Sequence, residues 1–434
     1  DSNYRNADNT VLSGSITSDA TANGDAGVVI VWGDEANFSG TISAQGGETS
    51  GDGGFVEVSG HHLTDLTGTV NTLAANGGAG TYLIDPDDID INSAAPLAGY
   101  TQITPATIQG SLAGGNVVIS TAATVGDGNP SDGGDIQVSS SVTSAAGHLL
   151  TLNATDQLRI SGGVTITNNG GVTLITGVGG IFATGSIDVT AATLTTNTTG
   201  SQIFSGGTIT AGALDLNATN ASASIQAGGF QGGTVSADTS NGLVNITAAA
   251  GNLEVGVIDS GTQTTTLTAS AGAITDVNNN TTTNITASNV VLSATTVIGE
   301  GGDPLDINTA TVTSALTSGG VINLRGTGGS INFADVRTTA GTGAITLDSA
   351  GTATLTNVTT NNGAITVTGA GTITATNVVT ANTDADANDI SITTTAGGNI
   401  EVDTINAGAT AGDVSLIAAG AITDTNANSS VTGD

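Results

Sequence analysis

Two consecutive twenty-residue segments, 343–362 and 363–382, are nearly copies of each other. They read GAITLDSAGTATLTNVTTNN and GAITVTGAGTITATNVVTAN, and 13 of the 20 aligned residues are identical. Each alternates apolar with small polar residues and is interrupted by Gly, Asn and Thr, which is typical of short strands joined by tight turns. A unit this short cannot bury its apolar face alone, so successive copies must stack along one axis. The period predicts an all-β chain that folds as a right-handed parallel β-helix with coils of about 20 residues.

Weaker copies of this pattern flank the two segments and extend over most of the chain from about Asn116 onward. Similar coils begin at Gly320 and at Asn388. Against a twenty-residue step, the interval from Ile365 to Ile390 carries five extra residues, which the pattern places in a loop at the acidic stretch 384–389. With a strand spacing of ~4.8 Å, about 18 to 20 coils would form a rod about 90 Å long.

The composition agrees with a solenoid that has a thin, regular core. The chain has 65 Gly in 434 residues, 2% aromatic residues, and neither Cys nor Met, so it lacks the large side chains around which compact enzymes build their cores. Disorder is the alternative, but 37% hydrophobic residues with few Pro favour an ordered chain. One short helix is predicted near 104–112, where Thr104 can cap it, Pro105 fits its first turn, and Gly114 with Gly115 ends it.

The charge of the chain excludes one class of partner. Four basic and 37 acidic residues give a formal net charge of −33, and Lys is absent, so phosphate backbones and anionic membranes are repelled and no nucleic acid partner is expected. No run approaches about 18 uninterrupted apolar residues, so no membrane insertion is expected. The acidic residues have two interpretations. They are either solvated turn residues that confer solubility, or ligands for divalent cations along the solenoid.

Calcium is the one cofactor that the sequence suggests, and none is required by any motif. The segment containing Asp384, Asp386 and Asp389 begins like a calcium loop, so these three side chains are the candidate metal ligands. The segment departs from an EF-hand because its sixth residue is Asp389 instead of Gly and its twelfth is Thr395 instead of Glu. The stretch 85–90 holds four further Asp residues, and strand alternation would send Asp88 and Asp90 to the side opposite Ile89.

Catalysis is not expected from these residue types. Parallel β-helices that cleave polysaccharides use carboxylates with a Lys or Arg base, and Arg325 and Arg337 are predicted to point outward into solvent. His61 and His62 are adjacent, so on a strand they would face opposite sides and could not share a metal ion. No motif of a Ser hydrolase, a zinc protease or a phosphate loop is present. We therefore predict no catalytic residue and no enzyme.

Residues 51–91 read GDGGFVEVSGHHLTDLTGTVNTLAANGGAGTYLIDPDDIDI. This stretch resembles the signature of filamentous-haemagglutinin-type exoproteins of the two-partner secretion pathway. In that family a GGFVE-SG element, a short G-V strand, an AANG turn and a final LLDP strand recur in this order. Here they correspond to residues 53–60, 68–70, 74–77 and 83–86. The resemblance covers roughly residues 10 to 160, including the strand with the chain's only Trp upstream and the predicted helix downstream.

This resemblance implies a β-helix that is extracellular or on a bacterial cell surface and works in adhesion, biofilm matrix or cell contact. It also implies an outer-membrane transporter as a secretion partner. The family's amino-terminal secretion domain bears Asn-Pro motifs, and the only Asn-Pro here is Asn129-Pro130, in an acidic loop. The chain, which begins at Asp1, is therefore expected to be the β-helix passenger without that domain.

The expected organisation is 1–92 as coils with the family signature, 93–115 as a connector with the short helix, and 116–434 as a repetitive rod. Two structural functions follow: a segment of an adhesin stalk that contacts host, neighbouring-cell or glycan surfaces, or a subunit that binds further copies of itself end to end in an extracellular filament. The alternative is a β-helix that binds or cleaves polysaccharides.

Overall fold

The computed structural model describes residues 7–122, 134–220, 225–277, 281–380, 387–408 and 410–433. It confirms the all-β fold class: 56% of the described residues are in strands, one helix lies among them, and the strands form a parallel β-solenoid of about 18 turns with roughly 22 residues per coil. The chain divides into two compact units, Asp1–Thr219 (unit 1) and Asn220–Asp434 (unit 2).

Within its described residues, unit 1 contains the helix and 22 strands, most of which pair in parallel with the equivalent strand one coil later. The strands are β1 (Asn9–Leu12), β2 (Ser15–Thr17), β3 (Val28–Trp32), β4 (Glu35–Phe38), β5 (Thr41–Ser43), β6 (Phe55–Ser59), β7 (His62–Asp65), β8 (Thr69–Asn71), β9 (Thr81–Asp85), β10 (Ile89–Ile91), β11 (Thr101–Ile103), β12 (Asn116–Ser120), β13 (Ile136–Val138), β14 (Val142–Ser144), β15 (Leu150–Ala154), β16 (Gln157–Ile160), β17 (Thr165–Asn168), β18 (Val172–Thr176), β19 (Gly180–Ala183), β20 (Ser186–Thr198), β21 (Gln202–Phe204) and β22 (Ile209–Ala218). The series β3, β6, β9, β12, β15, β18 forms one continuous side of this unit.

Unit 2 consists of strands alone within its described residues. They are β23 (Ile225–Thr239), β24 (Val244–Ala248), β25 (Leu253–Asp259), β26 (Thr264–Ala269), β27 (Ile274–Asp276), β28 (Ile285–Ala294), β29 (Leu305–Thr317), β30 (Ile322–Gly326), β31 (Ser330–Phe333), β32 (Val336–Thr338), β33 (Ile345–Ser349), β34 (Thr352–Leu355), β35 (Val358–Thr360), β36 (Ile365–Gly369), β37 (Ile373–Thr380), β38 (Ile390–Thr394), β39 (Ile400–Asn406), β40 (Val414–Ile417), β41 (Ile422–Asp424) and β42 (Ser430–Thr432).

The two near-identical segments form successive coils, in register with each other. Ile345 pairs with Ile365 and Leu347 with Val367, one repeat of twenty residues apart. The mean coil is longer because other steps contain insertions: Ile322 pairs with Ile345, and Ile365 pairs with Ile390. Inward side chains thus form stacked aliphatic columns that are fully buried, while outward positions carry mostly Thr, Ser and Asn.

Helix α1 spans Pro105–Ala113, so the sequence-based prediction of a helix near 104–112 is confirmed. The Thr104 Oγ1 accepts a hydrogen bond from the Thr107 amide at 3.1 Å, and Pro105 occupies the first turn. Gly114 donates its amide to the Ser111 carbonyl at the carboxyl end. Among the described residues, no helix is both long enough and apolar enough to cross a membrane.

Close backbone stacking at one corner of unit 2 requires a glycine. A Cβ atom on Gly351 would lie 1.3 Å from the Gly329 carbonyl oxygen, whereas a Cβ on Gly329 would meet nothing within 4 Å. We expect Gly351→Ala to lower the free energy of unfolding by about 1–3 kcal/mol because rigid backbone must move apart, and Gly329→Ala to change it by less than about 0.5 kcal/mol. Hydrogen exchange of the Thr352 amide, which donates to the Gly329 carbonyl, would reveal the difference. Equal protection in both variants would contradict this account.

Candidate functional site

The chain's only Trp lies at a corner of unit 1, at the carboxyl end of β3. The Trp32 ring meets the His61 ring edge-on, with centroids 6.5 Å apart and an interplanar angle of 72°. His61 Nδ1 lies 3.0 Å from both carboxylate oxygens of Asp87, one coil further on. His61 precedes β7 and is therefore at the corner, so the strand alternation assumed for His61 and His62 does not apply; both histidines are exposed.

Two more carboxylates lie beside this corner, on the outward side of β6 and β9. Glu57 Oε1 accepts a hydrogen bond from the Ser59 hydroxyl at 2.7 Å. Burial raises the pKa of the Asp85 carboxyl, and the nearby charges of Glu57 and Asp87 raise it further, while a hydrogen bond from Ser120 lowers it. Three acidic groups thus share one small area, and an approaching cation or hydrogen-bond donor would relieve their mutual repulsion.

The outward side of β3 and of the strands beside it also carries exposed apolar side chains, which sequence reasoning missed. Val28 and Ile30 are 64% and 59% exposed on β3. In register beside them, Phe55, Leu83 and Val118 on the next strands are partly exposed. We call these five residues the Ile30 face. The available signal was the β3 sequence VVIVW, which is apolar at inward and outward positions alike, and therefore lacks the alternation of a half-buried strand.

An open groove adjoins the Ile30 face at the amino ends of β3, β6 and β9. Its volume is about 430 Å³, and Val28 and Phe55 line it together with the exposed Asp52. Much of the remaining lining is glycine backbone, since Gly53, Gly54, Gly78 and Gly80 stack there with little room for a Cβ at three of the four. The face therefore has a carboxylate at its groove end as well as those at the Trp32 corner.

Asp88 and Asp90, in the second half of the acidic stretch 85–90, are anchored in the protein. The predicted alternation does not apply to Asp88, which precedes β10, and both Asp88 and Asp90 are nearly inaccessible. Asp88 Oδ1 accepts the Asp135 amide at 2.7 Å, and Asp90 Oδ2 accepts the Leu97 amide at 3.1 Å. These side chains tie adjacent loops to the coil.

Arg325 in unit 2 corrects a sequence-based prediction. It lies on the outward side of β30, as predicted, but it is not a freely solvated side chain: it forms a two-pronged ion pair with Asp306, whose side chain is fully buried, and 25% of the arginine side chain is exposed. The register places Arg325 between Asp306 and Asp348 on the neighbouring strands. The expectation failed because the partner carboxylate comes from 19 residues earlier. Arg337 is more exposed, with its Nε 2.8 Å from an Asp335 oxygen.

Several further carboxylates lie near this ion pair. Asp303 is 7% exposed. It ends a tight turn that begins at Glu300, and these two residues form an antiparallel bridge. Burial raises the pKa of the Asp303 carboxyl; Asp276, Asp306 and Glu300 raise it further, and Arg325 opposes them. Because the folded pKa is raised, protonated Asp303 favours the folded state at low pH, and this contribution is lost as the pH rises through the raised pKa.

The predicted calcium ligands Asp384 and Asp386 lie outside the described residues. Asp389 precedes β38 and is exposed, and its Oδ1 accepts the amide of Asp413 from the next coil at 3.0 Å. Within the described ranges, no group of three or more His, Cys, Asp or Glu side chains is arranged to hold a metal ion. Calcium binding by the 384–389 stretch stays a prediction.

Comparison with known proteins assigns no family. No protein-family model matches the chain, and no curated protein matches it.

Proposed function

We propose that this chain is a secreted or cell-surface structural β-helix that acts in attachment, cell contact or biofilm formation through its repeated outer faces. The observation that carries the proposal is the regular outward columns of small polar side chains. In unit 2 one such column runs through Thr346, Thr366, Ser391 and Ser415 on successive coils, and all four are exposed or partly exposed. The buried columns behind them fix their spacing, so the surface presents the same hydrogen-bonding groups every ~4.8 Å.

The resemblance of residues 51–91 to filamentous-haemagglutinin-type exoproteins supports the same proposal, with secretion through an outer-membrane transporter. An array of identical weak contacts suits attachment because many of them act together on a repetitive glycan or protein surface. The charge of −33 keeps such a surface hydrated and disfavours anionic partners.

End-to-end association of copies is the form of assembly that we include in this proposal. In the last described coil, Ile422 and Val431 continue buried columns through Ile400 and Ile405, yet they are 52% and 51% exposed. Uncovered apolar columns with strand edges beside them can be extended by another coil, whether from more polypeptide or from another copy.

Electron microscopy across a concentration series tests this proposal. We expect unbranched particles that lengthen with concentration, because each added copy covers one apolar end. Ile422→Asp should stop the lengthening, since it places a charge on that end, while the matched variant Thr423→Asp, at an outward position next to it, should not. Shortening in EDTA would show that the lengthening needs a divalent cation, and its loss in Asp389→Asn would point to the acidic stretch 384–389. Compact particles at every concentration would contradict a structural role.

A further inference from the structure

The Ile30 face differs from the rest of the surface to which it belongs. Its central column contains Ile30, Glu57, Leu83 and Val118 on β3, β6, β9 and β12. On the following strands the same column continues as Thr151, Thr173, Thr195 and then Asp215. In this column, aliphatic side chains are thus confined to the first four strands, and the later members are polar. Exposed apolar patches with a polar border are typical of interaction sites.

The acidic groups around this patch specify the charge of its partner. Glu57 lies within the central column, Asp85 and Asp87 lie at the Trp32 corner, and Asp52 lines the groove at the other end. A polysaccharide has hydroxyl groups for the carboxylates but little apolar surface for five aliphatic and aromatic side chains. A protein segment that alternates aliphatic with cationic side chains satisfies both parts of the surface.

A second copy of this chain is a poor source of such a segment. The sequence contains four basic residues, all of them Arg, against 37 acidic ones. Two copies that met through acidic surfaces would repel each other, whereas a basic partner would be attracted over a distance of about 10 Å at moderate salt. Charge complementarity therefore points to a different protein.

We propose that the Ile30 face docks an extended, basic segment of another protein, with the aliphatic side chains of the segment against Val28, Ile30 and Leu83 and its Lys or Arg side chains against Glu57, Asp85 and Asp52. The face is long enough for about five residues of an extended segment, since β3 itself has five residues and spans about 16 Å. This inference adds a specific partner to the proposed function and relies on its premise that the outer faces are the working surfaces.

Binding of synthetic peptides to the whole chain tests the proposal directly. The probe is an eight-residue peptide of alternating Lys and Val with blocked ends; the comparison peptides alternate Lys with Ser and Glu with Val. Trp32 is the chain's only Trp and adjoins the face, so its fluorescence should change on binding, and calorimetry gives an independent affinity. We expect micromolar binding of the Lys–Val peptide and at least about tenfold weaker binding of the other two.

Matched variants locate the binding. Ile30→Thr should lower the affinity for the Lys–Val peptide about tenfold. Val178→Thr, at a 72% exposed position elsewhere in unit 1, should leave this affinity unchanged. Glu57→Gln should lower the affinity for the same peptide about fivefold. Asp215→Asn, which removes one charge further along the same column, should not change that affinity.

Three results would overturn the proposal. Equal effects of Glu57→Gln and Asp215→Asn would mean attraction by bulk charge alone. Equal affinity for the Lys–Ser peptide would mean that the apolar side chains do not take part. Self-association of the chain that Ile30→Thr abolishes, measured by analytical ultracentrifugation, would make a second copy the occupant. Filament growth in the microscope is independent of all three, so failure here would leave the structural function standing.

Discussion

Replacing Arg325 by Leu should lower the free energy of unfolding of unit 2 by about 3–5 kcal/mol, because it leaves the buried Asp306 carboxylate without its counter-charge. Asp306 is fully buried and bonds Arg325 through both of its oxygens. The nearby carboxylates of Asp276 and Asp303 would then add uncompensated repulsion. Denaturant titration gives the loss in stability, and hydrogen exchange of the β30 amides shows where it arises.

Two comparison variants separate this ion pair from general effects of losing an arginine. Arg337→Leu removes an exposed partner of Asp335, so it should cost no more than about 1 kcal/mol. Adding Asp306→Asn to Arg325→Leu should recover part of the lost stability, since the buried group is then neutral. Similar losses for Arg325→Leu and Arg337→Leu would contradict the account.

The solenoid could be predicted because its repeat is visible as a period in consecutive residues of the sequence. Alternation around Val56 and Val58 fixes which side is inward, and both are fully buried, with Glu57 between them partly exposed. The signal for the helix is equally local, since Thr104 and Pro105 define its start and no distant residue is needed. Features that depend on one strand or one turn are therefore recoverable from the sequence of such a chain.

Features that depend on the alignment of one coil with the next could not be predicted from the sequence. The pairing of Arg325 with Asp306 requires the register between β29 and β30, which insertions alter from coil to coil. Likewise, the buried Asp88 carboxylate accepts a hydrogen bond from the amide of Asp135, 47 residues later in the chain. The Ile30 face also needs the register of four strands before its residues become neighbours. An irregular repeat thus specifies its core locally and its outer surface through coil alignment.

Truncating Phe333 to Ala should be among the most damaging changes in the core of unit 2, at about 3–5 kcal/mol. Phe333 is fully buried on β31 and is in register with Val312 before it and Leu355 after it, both also fully buried. A solenoid coil contacts only its neighbours, so the cavity cannot be filled from elsewhere in the fold. Phe333→Leu keeps most of the volume and should cost less than about 1.5 kcal/mol.

Hydrogen exchange resolves how far the damage of Phe333→Ala extends along the stack. The Ala334 amide donates to the Val312 carbonyl, and the Thr356 amide donates to the Phe333 carbonyl, so these two report on the adjoining coils. Both should lose protection strongly, whereas the Thr395 amide, which donates to the Gly369 carbonyl further along unit 2, should lose much less. Equal loss at all three amides would mean that unit 2 unfolds as one cooperative block, and nearest-neighbour stacking would then be the wrong description of its stability.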